Sequence, residues 1–147
     1  MGKFGEVYVL DWGLAKVLNA PTLQKSEAIK NEKMDTTLTP VGRHYGTPMY
    51  MPPEIARGEA DLDGRTDVFS LGIILFEMLT LQFLVEGEDP YEIKKKILDQ
   101  PLPLPREVAP NRNIPGDLQA VCMKALKRNK YDRYSSATTF LEDLQHY

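Results

Sequence analysis

The stretch "TDVFSLGIILFEMLT" (66–80) constrains this chain more than any other. Wound at about 3.6 residues per turn, it puts apolar side chains on every side, and a helix apolar all round is one buried on every side. At about 1.5 Å per residue it runs roughly 20 Å, enough to cross the middle of a lobe. The apolar stretch from Leu71 to Val85 is interrupted by Glu77, Thr80 and Gln82. It is too short and too polar to span a membrane. The first expectation is therefore a helical body built around one central helix.

The rest of the chain supplies enough material for such a body. It has 147 residues, of which 42% are hydrophobic and 27% charged, which suits one domain or one large lobe. A net charge of −3 argues against nucleic acid as a bulk partner. Cys122 is the single cysteine, so no internal disulfide framework is possible. No Cys/His grouping has metal-ligand spacing, and a reducing, cytoplasmic compartment fits. "MGKFGEVYVL" lacks the basic end and apolar run of a signal peptide, and Glu6 stands where a myristoylation site needs Ser or Thr.

Around the central helix the chain alternates helical and irregular text. "EVYVL" (6–10) is β-branched and aromatic and reads as a strand, broken by "DWG" (11–13). Residues 19–40 carry few large apolar side chains and read as a long loop. "DPYEIKKKIL" (89–98) opens a helix, with Asp89 as cap, Pro90 in the first position and Glu92 placed for a capping box. Residues 101–115 hold five prolines and read as an extended connector. "DLQAVCMKALK" (117–127) puts Leu118, Val121, Cys122, Ala125 and Leu126 on one helical face, and "SSATTFLEDLQHY" does the same with Ala137, Phe140, Leu141 and Leu144. "KKK" (94–96) reads as a solvated helix face. His44 and His146 read as loop and surface residues rather than general bases.

Four motifs in order carry chemistry: "DWG" at 11–13, "GTPMYMPPE" at 46–54, "DGRTDVFSLG" at 63–72 and "KRNKYDRYSSA" at 127–137. Together they resemble the protein kinases, and most of all bacterial serine/threonine kinases, over nearly the whole chain. The resemblance implies a protein-kinase-like α+β fold, of which this chain is mainly the α-helical C-lobe with a short N-terminal β-hairpin remnant. It divides the chain into a hairpin and metal-binding triplet (1–13), an activation segment (11–54) and a helical C-lobe (55–147).

The resemblance also settles the reading of "GKFGEV". Gly2, Gly5 and Val7 mimic the end of a glycine-rich phosphate loop, but that loop precedes the metal-binding triplet by most of a kinase domain. Gly2 and Gly5 are turn residues instead, and Lys16 lies on the wrong side of Asp11 to pair phosphates.

By resemblance Asp11 is the Mg²⁺ ligand, a hard oxygen donor suited to a metal that bridges nucleotide phosphates. Gly13 permits the sharp turn after it, and Trp12 stands where Phe is usual. Gly46, Thr47 and Pro48 belong to the substrate-positioning loop, with Thr47 marking serine/threonine rather than tyrosine specificity. Thr36, Thr37 and Thr39 are candidate phosphoacceptors, and each equally reads as a solvated loop threonine. Glu54 and Arg133 form the family's buried ion pair. Asp67 opens the central helix, with an N-cap role where its catalytic-loop partner is missing.

Nothing in the sequence matches the glycine-rich loop, its lysine and glutamate, or the catalytic-loop aspartate and asparagine. The implied activity, transfer of the ATP γ-phosphate to Ser/Thr of proteins with ATP and Mg²⁺, belongs to a full-length parent. The chain alone is expected to be inactive, with doubtful nucleotide binding and with the missing N-terminal part as one partner beside protein substrates. The alternative is a non-catalytic, pseudokinase-like interaction module.

Overall fold

The computed structural model of the chain describes residues 48–87 and 89–147. The strand at 6–10, the hairpin and triplet of 1–13 and the loop at 19–40 fall outside them. Among the described residues the structure is helical, with six α-helices and two 3-10 turns. A 3-10 turn at Pro48–Tyr50 leads into α1 (Pro53–Arg57), and α2 (Gly64–Thr80) follows. Then come α3 (Pro90–Asp99), α4 (Pro105–Val108), α5 (Gly116–Ala125), a 3-10 turn at Lys130–Asp132, and α6 (Ala137–Gln145).

Helix α2 is the axis of the fold, with α5, α4 and α6 packed against it. It begins at Gly64, and the Asp63 carboxylate caps it by accepting from the Arg65 N–H at 2.9 Å. Asp67 therefore does not cap the helix. It sits exposed in the first turn, because the aspartate four positions earlier reaches the free N–H groups first. At the other end Leu81 takes a left-handed conformation, φ 57°, and its N–H closes on the Glu77 carbonyl.

Phe69, Ile73 and Phe76 project from α2 at helical spacing into a core shared with Ile93 and Ile97 of α3 and Cys122 of α5. A second cluster joins Val68 to Val121, Ala125, Tyr134 and Phe140, tying in α5 and α6. Where α2 crosses α5, Gly72 lets the helices touch: a Cβ there would lie 2.9 Å from the Ala125 Cβ. The Cys122 thiol donates to the Gly72 carbonyl at 3.7 Å across the same contact.

Burial on every side of α2, expected from its composition, is not observed. Leu71, Ile74 and Met78 are exposed, Met78 to 66%, and they line one face of the helix at i, i+3 and i+7. Apolar composition shows that a face avoids water; it does not supply the element that covers it.

Three local readings also change. Glu92 does not close a capping box on Asp89; it pairs with Lys96 at 2.6 Å, one helical turn on, where the charges attract. The connector at 101–115 contains a helical turn, α4, begun by Pro105 and pinned from Arg106, whose Nε donates to the Ile114 carbonyl at 2.7 Å. Leu141 of α6 is exposed, while Phe140 beside it is buried and takes the core position.

Candidate functional site

The segment 48–54 enters the described structure as a short turn and an extended step into α1. It is fastened to the helical body at three points. The Ser70 hydroxyl donates to the Tyr50 carbonyl at 3.1 Å, and the Tyr50 hydroxyl donates to a Glu77 carboxylate oxygen at 2.8 Å. Both partners lie on α2, two turns apart, so the backbone and the ring of Tyr50 are held against the same helix. The hydrogen bond to Glu77, with burial and the carboxylate charge, raises the Tyr50 phenol above its ordinary value. The second Glu77 oxygen is buried and finds no hydrogen-bond partner among the described residues.

The third fastening is Glu54, the second residue of α1, against Arg133 beyond the last 3-10 turn. Arg133 donates to both carboxylate oxygens, at 2.8 and 2.7 Å. Its remaining N–H groups go to the carbonyls of Lys127 (2.6 Å), Arg65 (2.9 Å) and Arg128 (3.2 Å). All the donors of a guanidinium are thereby used, and its carbon lies 4.7 Å from the centre of the Phe69 ring. Burial alone would push the Glu54 carboxyl up. The hydrogen bonds from Arg133 and from backbone N–H, together with the Arg133 charge, outweigh it and hold the carboxyl below its ordinary value. Nearby, Lys130 ties the loop after α1 to the same corner through the Asp61 carbonyl (2.6 Å) and carboxylate (2.8 Å).

Of the residues singled out from the sequence, the structure brings Glu54 and Arg133 together and places Pro48 at the start of the first turn. Asp11, Gly13, Thr36, Thr37, Thr39, Gly46 and Thr47 lie outside the described residues. The Tyr50–Glu77 bond escaped the sequence reading. Its signal was Glu77, a carboxylate in the middle of the apolar run that follows Asp67, which must either reach water or find a donor. Arg65, Lys127 and Arg128 escaped it too, because they contribute backbone carbonyls and their side-chain identity carries no message.

The comparison with known proteins decides the family. The protein kinase domain matches residues 2–146. The chain belongs to the protein kinase family. It is 40% identical over 150 residues to the serine/threonine-protein kinase PknD of Chlamydia pneumoniae, covering 99% of this chain and 15% of the relative. It is 39% identical to PknD of Chlamydia abortus, again over 150 residues and 15% of that protein. PknD of Chlamydia trachomatis serovar D is 37% identical over 158 residues, covering 100% of this chain and 16% of the relative. The chain thus spans about a sixth or less of the length of the curated relatives it matches. Its described part is a kinase C-lobe, with α2 as the central helix of that lobe.

The family uses ATP and Mg²⁺. Among the described residues no group of three or more His, Cys, Asp or Glu could hold a metal ion. The carboxylate that the resemblance assigns to that role, Asp11, lies outside them. No helix among the described residues is long and apolar enough to cross a membrane.

Proposed function

We propose that this chain is the substrate-positioning C-lobe of a serine/threonine kinase, whose full-length parent transfers the γ-phosphate of ATP to Ser or Thr hydroxyls of proteins. The observation that carries the reading is the mounting of residues 48–54 on α2 and on Arg133. Phosphoryl transfer asks the protein chiefly for position and charge neutralisation. A segment that orients a protein hydroxyl must itself be immobile, and three fastenings within residues 50–54 meet that need.

In this reading Gly46, Thr47 and Pro48 continue the mounted segment toward the acceptor hydroxyl. Asp11 supplies a Mg²⁺ ligand, Gly13 its turn, and Thr36, Thr37 or Thr39 takes a regulatory phosphate. Asp67 faces the catalytic loop of the parent. The domain boundaries follow: hairpin and triplet at 1–13, activation segment at 11–54, helical lobe at 55–147. ATP places the catalytic domain in the cytoplasm. By itself the 147-residue chain is expected to be inactive.

The exposed Leu71, Ile74 and Met78 favour this reading over a free-standing interaction module. A module evolved to stand alone would carry polar residues on that face, whereas the kinase reading covers it with a further part of the parent. The test is phosphotransfer by a longer polypeptide that contains this chain, followed by phosphoamino-acid analysis. The expected label is on serine and threonine and is lost in Asp11→Ala. Label on tyrosine, or an Asp11→Ala protein of full activity, overturns the reading.

A further inference from the structure

We draw no further inference here: the strongest candidate, the exposed apolar stripe of Leu71, Ile74 and Met78 on α2 with the adjoining cleft at Ile114 and Pro115, carries no proposal because nothing among the described residues shows what covers it.

Discussion

Arg133 meets Glu54 across 79 positions of sequence, donating from both terminal nitrogens to both carboxylate oxygens at 2.8 and 2.7 Å, with neither side chain reaching solvent to more than 2%. The contact fixes the start of α1 to the strap between α5 and α6. The same guanidinium satisfies three carbonyls from two other segments. A buried ion pair adds little net stability over an apolar replacement of the pair, but breaking it from one side is costly.

The two single substitutions should therefore be unequal. Glu54→Gln keeps an acceptor for Arg133 and should cost about 2–3 kcal/mol. Arg133→Met strands a buried carboxylate as well as three carbonyls and should cost about 3–5 kcal/mol or more. Urea denaturation of the two variants checks the order. Equal losses would mean that the carbonyl contacts contribute nothing.

Acid should act through Glu54. Its carboxyl is held below the ordinary value of 4.5 in the folded chain and returns to it on unfolding. The pair's contribution is then complete above about pH 4.5 and is lost as pH falls through the lower folded value, because the unfolded chain takes up the proton first. Denaturation midpoints between pH 7 and pH 3 should fall at the acid end, with a shallower fall in Glu54→Gln. An identical slope in both proteins would assign the acid loss to other groups.

Gly72→Ala tests the crossing of α2 and α5. Alanine gains helix propensity of about 1 kcal/mol, but its Cβ would stand 2.9 Å from the Ala125 Cβ and 3.2 Å from Leu126. Overpacking should win, with a net loss of about 1–2 kcal/mol. Adding Ala125→Gly should recover the overpacking part, which a double-mutant cycle in urea would show as a favourable coupling.

Cys122 should be chemically silent. It is buried, and desolvation pushes its thiol up to about 12. At pH 8 a thiol reagent should label the native chain only through unfolding, at a rate that rises steeply with denaturant. Rapid labelling in its absence would show that the α2–α5 contact opens locally.

Much of this architecture was legible in the sequence, for reasons that differ from residue to residue. Asp89 and Pro90 announced α3, because caps act over a single turn. Periodicity placed Phe140, Val121 and Cys122 toward the core. It failed at Leu141, since two adjacent leucine-sized residues cannot both face one narrow groove, and the sequence does not say which one turns inward. The exposed Leu71, Ile74 and Met78 were beyond it as well, because burial belongs to a partner as much as to a residue. For the site, order and spacing of motifs pointed to Glu54 and Arg133. The Tyr50–Glu77 bond joins two residues that no local rule connects, and only the packed fold brings them together.

As the proposed substrate-positioning lobe, this chain is expected to transfer no phosphate by itself. The most direct measurement incubates the purified 147-residue chain with γ-labelled ATP, Mg²⁺ and a serine/threonine-containing protein, beside its Asp11→Ala variant. The account predicts no phosphoserine or phosphothreonine in either sample above background. Label transferred by the chain and abolished by Asp11→Ala would contradict it.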